Sequence, residues 1–213
     1  MRVLAFDCCL AACSAALLDE DGVLAARHEP MQRGQSERLV PMVEEVRLEA
    51  GLSWRQVDLI CVTVGPGSFT GVRIGLAAAQ GFALAADIPL LGLTTLEAAT
   101  APISQRATLA AIDVRRDQVY VQAFSAGRAP LCPPQVLSAA AAAALAPPHP
   151  FVVVGPGAML LMPYLKEGAV LLPGDVEAEA FGRLAFERAH EAKRGAPPRP
   201  LYLRSPDATP SRP

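Results

Sequence analysis

A glycine-rich loop is the segment of this sequence whose residue types most directly suggest ligand chemistry. Residues 65–71 read Gly-Pro-Gly-Ser-Phe-Thr-Gly and lie between an apolar run and a helix-forming segment. Backbone N–H groups at the start of a helix lack intrahelical partners and can hold an anion. Gly67, Ser68 and Thr70 are therefore candidates for contact with a nucleotide or another anion.

Three known motifs differ from this loop. A phosphate-binding P-loop ends in Gly-Lys-Ser/Thr, whereas Gly71 is followed by Val72 and Arg73. The dinucleotide fingerprint GxGxxG needs its third glycine one position earlier. A serine-hydrolase elbow, GxSxG, needs a residue between its first glycine and the serine, but Ser68 directly follows Gly67. Two interpretations stay open: a tight strand-to-helix turn, and a turn that also contacts a nucleotide or a partner.

The cysteines and histidines do not form a metal or disulfide pattern. The five cysteines are Cys8, Cys9, Cys13, Cys61 and Cys132, an odd number without a CxxC pair. This pattern indicates free thiols that serve as small buried apolar groups, and neither a disulfide framework nor a zinc site. The three histidines are far apart and show no HExxH spacing. We predict no metal ligands and no catalytic residues.

Composition sets the broad class of the protein. The 213 residues are 52% hydrophobic and carry a formal net charge of −2, so bulk charge does not predict a nucleic-acid-binding surface. The basic pairs Arg115-Arg116 and Lys193-Arg194 are expected to be solvated surface. No apolar run reaches the roughly 18 residues of a membrane span, and Asp7 comes too early for a signal peptide. We expect a soluble cytoplasmic protein without a membrane segment.

The hydrophobic pattern predicts the elements that position the loop. Three short strands with tight connections form an antiparallel meander, followed by a helix that Ser36 opens and caps and by alternating strands and helices. A strand–helix alternation that restarts near Arg106 suggests a second, related domain. The predicted strands span residues 2–7, 12–18, 23–28, 58–64, 89–93, 108–114, 119–124 and 151–154. The predicted helices span residues 36–50, 72–86, 139–145 and 175–193, with Asp175 near the last N-terminus.

The helix after the glycine loop has an unusual composition. Over residues 72–86 its only polar side chains are Arg73 and Gln80, which share one face. Gly71, Gly75 and Ala79 form a stripe of small residues that would let another helix approach closely. We predict that this helix is buried at a subunit interface, and burial under a second domain is the alternative.

Several segments resemble a known family. Residues 65–75, Gly-Pro-Gly-Ser-Phe-Thr-Gly-Val-Arg-Ile-Gly, are followed by Gln80-Gly81 and closely resemble the signature of the bacterial TsaB (YeaZ) proteins. Residues 92–96 and 112–115 also match, and the resemblance spans nearly the whole chain. It implies an α/β, actin-like (ASKHA, ribonuclease-H-like) two-domain fold with mixed sheets. The expected domains are residues 1–103 and 104–213, with a C-terminal tail that can return to the first.

The resemblance also implies a function. A TsaB-like chain would be a non-catalytic subunit that supports threonylcarbamoyl transfer to the adenosine next to the tRNA anticodon. Its partners would be the catalytic paralogue TsaD and the ATPase TsaE, tRNA would be bound only through the complex, and the chain alone would form a homodimer. The partner-interface residues are expected on two helices: Leu39, Val40 and Val43 on the first, and Gly71, Arg73, Gly75, Ala79, Gln80 and Phe82 on the second.

One departure from the family pattern concerns nucleotide binding. The first-strand loop of an actin-like ATPase holds phosphate, but here Asp7 is followed by Cys8, Cys9 and Leu10, with no hydroxyl before Ser14. We therefore expect no intrinsic cofactor, and ATP and a metal only in the assembled complex. The alternative is an actin-like small-molecule kinase or ATPase that uses Asp7 with the glycine loop. A protease or hydrolase is disfavoured by the missing triad and metal ligands.

Overall fold

The structure is a computed structural model that describes residues 1–103, 105–114 and 117–204. The predicted basic pair Arg115-Arg116 and the end of the chain beyond residue 204 lie outside the described residues. The strands are β1 (Val3–Asp7), β2 (Ala12–Leu18), β3 (Val23–Pro30), β4 (Leu59–Thr63), β5 (Leu90–Leu93), β6 (Ala107–Asp113), β7 (Gln118–Phe124), β8 (Gln135–Ser138), β9 (Phe151–Val154) and β10 (Val170–Leu172). The α-helices are α1 (Gln35–Glu49), α2 (Phe69–Ala86), α3 (Thr95–Ala99), α4 (Ala139–Ala143), α5 (Ala158–Leu161) and α6 (Ala178–Arg188).

The first sheet has the strand order β3-β2-β1-β4-β5. As predicted, β1, β2 and β3 form an antiparallel meander, and β4 and β5 join it in parallel. Every residue of β1 and β4 is buried, and burial on both faces explains the continuous apolar run that predicted β4. Helices α1 and α2 pack beside each other and cover one face of this sheet.

The second sheet repeats the same topology. Its strand order is β10-β9-β6-β7-β8, so a three-strand meander is again extended by two parallel strands. Strand β6 begins at Ala107, close to the predicted restart near Arg106. The pattern did not predict β8, β10, α3 and α5, which have five or fewer residues each and carry little periodic signal.

Helix α6 brings the end of the chain back to the first sheet. It packs on β1 and β2 so closely that a side chain larger than hydrogen at Gly182 would be crowded: its Cβ would lie 3.1 Å from the Cβ of Ala5. Further along, the Leu201 amide donates to the Val64 carbonyl at 2.8 Å. The segment after residue 177 therefore covers the first sheet, although it follows the second sheet in sequence.

Two helix starts differ from the predicted ones. Helix α1 follows Gly34, which has a φ of +94°, and Ser36 donates its hydroxyl hydrogen bond to Glu37 and does not cap the helix. Helix α2 starts three residues earlier than predicted, because Ser68 is its N-cap and accepts from the Gly71 amide at 3.3 Å.

The last helix is shorter than predicted, and Asp175 does not cap it. Asp175 instead lies 3.1 Å from His28 on β3. The N-terminal amide of α6, on Ala178, donates to the buried Ser14 hydroxyl at 2.7 Å. The cap thus comes from a strand 164 residues away, which no local sequence pattern reveals.

Candidate functional site

A cleft of about 600 Å³ lies where the carboxyl ends of the two sheets meet. The β1–β2 loop, the glycine loop and Phe69, the first residue of α2, line one side. Asp113 and Tyr120 of the second sheet line the other. The returning tail closes it with Tyr202. Ligands of open α/β sheets bind at the carboxyl ends of strands, so this cleft is the natural place to test the predicted nucleotide site.

Asp7 ends β1 but does not present its carboxylate to a ligand. Its side chain is 1% exposed and accepts hydrogen bonds from the Thr63 hydroxyl and from the Cys9 amide at 3.0 Å. Burial raises the pKa of Asp7, and the hydrogen bonds from Thr63 and Cys9 oppose that rise. Asp7 therefore joins the β1–β2 loop to β4. This buried, hydrogen-bonded position does not favour its predicted role in a nucleotide or anion loop, which stays a prediction.

The glycine loop is closed onto the β1–β2 loop. The Ser68 amide donates to the Cys9 carbonyl at 2.7 Å, and the Ser68 hydroxyl is used as the α2 cap. A Cβ at Gly67 would lie 2.4 Å from the Cys9 carbonyl oxygen, and one at Gly71 would lie 2.0 Å from that of Cys8. These glycines are required by the close contact of two backbones, so the geometry favours the tight-turn interpretation. Of the predicted anion contacts, Thr70 is exposed on the first turn of α2 and Ser68 is committed to the cap.

The second sheet carries an equivalent loop. Residues 155–157 repeat Gly-Pro-Gly directly after β9, as residues 65–67 follow β4, and Gly155 and Gly65 have φ values of +97° and +93°. A Cβ at Gly157 would lie 2.8 Å from the amide nitrogen of Asp113, the residue that ends β6 as Asp7 ends β1. Asp113, unlike Asp7, is exposed on the cleft. The repeated Gly-Pro-Gly was the sequence signal for this equivalence.

Most of the predicted interface residues are buried inside the chain. Leu39 and Val43 are fully buried against the sheet, and Gly71, Gly75 and Ala79 lie on the inner face of α2. Gly75 approaches the Cys8 sulfur and a Val62 methyl at 3.6 Å from its ideal Cβ position. The small-residue stripe therefore brings α2 close to its own sheet, and this position does not favour its predicted role in helix–helix approach to a partner.

The outer face of α2 is exposed and mostly apolar, and α1 exposes Val40 and Leu48 among polar residues. Of the predicted residues, Val40, Arg73 and Gln80 are exposed on this side of the two helices. Phe82 is half-buried, and its ring stacks on Trp54 with the ring centroids 4.6 Å apart. Leu84, which the sequence analysis missed, is 87% exposed.

Helical spacing could have identified the missed residues. Ala77 and Leu84 share the face of Arg73 and Gln80, at positions 73, 77, 80 and 84. Leu48 of α1 is also exposed, at 65%. We call the set of Val40, Leu48, Ala77, Gln80 and Leu84 the outer helical face.

Helix α2 is also the one described helix that is long and apolar enough to cross a membrane by length and composition. Its inner face packs on β4 and the β1–β2 loop, as a helix of a globular core does. The helix is therefore mostly apolar over its whole length because one face packs on the sheet and the exposed face also carries apolar residues.

Comparison with known proteins identifies the family. Residues 28–154, more than half of the chain, match the family model described as TsaD, tRNA N6-adenosine threonylcarbamoyltransferase. The Escherichia coli tRNA threonylcarbamoyladenosine biosynthesis protein TsaB is 41% identical over 124 residues, which are 56% of this chain and 53% of that protein. The solved structure of YeaZ from Pseudomonas aeruginosa superposes with a TM-score of 0.80 at 28% identity, covering 95% of this chain and 99% of that one.

The chain belongs to the TsaB (YeaZ) family. An uncharacterized Mycobacterium tuberculosis protein is 32% identical over 98% of this chain and 94% of its own length. The chain spans about half the length of the two TsaB proteins that it matches at 40% identity or more. These likenesses also confirm the predicted actin-like two-domain fold.

Proposed function

We propose that this TsaB-family chain is a non-catalytic subunit that supports threonylcarbamoyl transfer to the adenosine next to the tRNA anticodon. In this proposal a TsaD-like paralogue performs the transfer, and a TsaE-like ATPase acts with the complex. Family membership supports the pathway, because its named relatives are tRNA threonylcarbamoyladenosine biosynthesis proteins. The proposal places the protein in the cytoplasm, with tRNA.

The observation that carries the partner role is the outer helical face. A large exposed side chain such as Leu84 contributes about 1.5–3 kcal/mol when it is fully buried. The family model that matches this chain describes a TsaD protein, and the matched residues 28–154 include all of α1 and α2. A TsaD-like partner would therefore present equivalent helices, and the two proteins would pair through the same face.

The same argument applies to a second copy of this chain. A twofold pair would place the outer helical face of one copy on that of the other. We propose that the chain alone forms this homodimer and that the TsaD-like partner displaces the second copy, because both occupy one surface.

The chemistry of the cleft supports a role without intrinsic catalysis. Polar groups of the two loops on the first sheet are already hydrogen-bonded inside the protein: the Ser68 amide donates to the Cys9 carbonyl of the other loop, and the Cys9 amide donates to Asp7 within its own loop. Among the residues that the structure describes, no group of three or more His, Cys, Asp or Glu side chains is placed to hold a metal ion. The buried, hydrogen-bonded Asp7 does not fit a metal ligand either. We propose that ATP and a metal act only in the assembled complex.

Size-exclusion chromatography with a purified TsaD-like protein tests the partner surface. Leu84→Glu should weaken association at least tenfold, because it removes about 1.5–3 kcal/mol of apolar burial and places a charge in the interface. Leu131→Glu is the matched control, since Leu131 is also an exposed leucine but lies outside the outer helical face. Unchanged association of a folded Leu84→Glu variant would show that the partner binds elsewhere.

A further inference from the structure

Two cysteines face each other at the end of the β1–β2 hairpin. The last register pair of this hairpin is Asp7 with Ser14. Cys13 precedes Ser14 on β2 and Cys8 directly follows the end of β1, so continuing the register by one residue places Cys8 opposite Cys13. Directly opposed residues of antiparallel strands have Cα atoms about 4.5–5.5 Å apart. This separation lies within the roughly 4.4–6.8 Å range of natural disulfides.

The two side chains also point to the same side of the sheet. Both are fully buried in the apolar cluster between the first sheet and helices α1 and α2. The Cys8 thiol donates to the Gly71 carbonyl at 3.2 Å, and the Cys13 thiol lies 4.0 Å from the Gln35 carbonyl. The pair thus lies between the first turns of the two helices.

The neighbouring cysteine has a different environment. Cys9 directs its thiol to Thr63 of β4, with the sulfur 3.1 Å from the hydroxyl oxygen. Cys61 lies on the opposite face of the first sheet, and Cys132 contacts β7 of the second sheet. The fold therefore selects Cys13 as the partner of Cys8.

We propose that Cys8 and Cys13 are a redox-active dithiol that forms an intrachain disulfide by exchange with a small-molecule disulfide such as oxidised glutathione. The Cys13 thiolate attacks one sulfur of the small disulfide, which forms a mixed disulfide and releases the first thiolate. The Cys8 thiolate then attacks the Cys13 sulfur and releases the second. The protein loses two electrons and two protons, and two molecules of small thiol carry them.

The surroundings of the two sulfurs explain the order of attack. Contact with Cys8 lowers the pKa of the Cys13 thiol, and this effect outweighs burial and the charges of Asp7 and Glu29, which act in the opposite direction. Contact with Cys13 and then burial raise the pKa of the Cys8 thiol. Cys13 is therefore the attacking thiolate and Cys8 the resolving thiol. Since both are buried, the first step needs an opening of the short loop between them, where Ala11 is exposed.

Peptide mapping of the full chain tests the proposal. The folded protein is incubated with oxidised glutathione, quenched with acid, denatured, alkylated with N-ethylmaleimide and digested with trypsin, which releases residues 3–27 with Cys8, Cys9 and Cys13 on one peptide. We expect this peptide to lose two hydrogens and to carry one alkyl group, on Cys9. A parallel sample in urea should give mixed pairing, because only the fold distinguishes Cys9 from Cys8.

Serine variants assign the bond. Cys8→Ser and Cys13→Ser should each abolish the internal disulfide, whereas Cys9→Ser and the distant Cys61→Ser should keep it; circular dichroism checks folding. The mapping of the wild-type chain needs no variant and decides the matter if a variant fails to fold. The proposal would be overturned if wild type that was incubated while folded showed all three cysteines alkylated, at a concentration of oxidised glutathione that oxidises the unfolded chain. A bond that persists in Cys8→Ser would overturn it as well.

Discussion

Replacing Asp7 distinguishes a structural carboxyl group from a phosphate- or metal-binding one. In the structure Asp7 accepts hydrogen bonds from the Thr63 hydroxyl and the Cys9 amide in a fully buried position. Asp7→Ala leaves the Cys9 amide without an acceptor and the Thr63 hydroxyl with only the weakly accepting Cys9 sulfur, and each such loss costs about 1–3 kcal/mol. We therefore expect Asp7→Ala to lower the free energy of unfolding by about 2–5 kcal/mol. Asp7→Asn keeps an acceptor oxygen and should change it by less than about 1 kcal/mol near pH 4.

The burial of Asp7 also determines whether the stability of Asp7→Asn relative to wild type rises or falls with pH. Burial raises the pKa of Asp7 above 3.8, so the folded protein holds a proton that the unfolded chain releases. This contribution to stability is complete below about pH 3.8 and is lost as the pH rises through the folded-state pKa. Asn has no such loss. The stability of Asp7→Asn relative to wild type should therefore increase with pH above 3.8.

Urea unfolding followed by circular dichroism, at several values between about pH 4 and pH 7, measures both effects. Comparison with wild type at each pH cancels the other titrating groups, including Glu29 and Glu45, whose pKa values Arg38 lowers. The reasoning would be refuted if Asp7→Ala lowered the free energy of unfolding by less than about 1 kcal/mol. A relative stability of Asp7→Asn that falls with pH would also refute it.

Three further predictions follow from the surfaces and the cleft. Ala79→Arg should lower the free energy of unfolding by more than about 3 kcal/mol in a urea titration, because Ala79 is fully buried. Leu84→Arg, at an exposed position of the same helix, should change it by less than about 0.5 kcal/mol, and equal effects would contradict the assigned faces of α2. The pure chain should release no phosphate from ATP and cleave no protein substrate, and robust activity that Asp7→Ala abolishes would favour the kinase or ATPase alternative. The chain alone should show no salt-sensitive tRNA binding at about micromolar affinity in a filter or mobility assay, because its net charge is −2; such binding would count against recognition through the complex.

The sequence predicted the strands and helices correctly wherever the hydrophobic pattern fitted only one type of element. Strand β4 is buried on both faces and appeared as a continuous apolar run, and β1 was predicted from its β-forming residues. The tight turns of the meander predicted its antiparallel order. The start of the loop after β4 was located correctly because glycine and proline interrupt these patterns at a sharp boundary, although α2 begins at Phe69, inside the predicted loop.

The orientation of α2 could not be read from the sequence. This helix is apolar on the face that packs on the sheet and again at Leu84 on the face that is exposed, so periodicity does not distinguish them. The role of Asp7 was equally inaccessible, because it depends on Thr63, 56 residues away, and on the fold that brings β4 beside β1. Ser14 as the cap of α6 is a third long-range contact of this kind.

Reconstitution of the transfer reaction tests the central claim most directly. A TsaD-like protein, a TsaE-like ATPase, threonylcarbamoyl adenylate and tRNA are combined with or without this chain, and threonylcarbamoyladenosine is measured by mass spectrometry of digested tRNA. The account predicts that product forms only when the chain is present, that Leu84→Glu abolishes the stimulation, and that Leu131→Glu retains it. Equal product without the chain, or full stimulation by a Leu84→Glu variant that no longer binds the TsaD-like protein, would contradict the account.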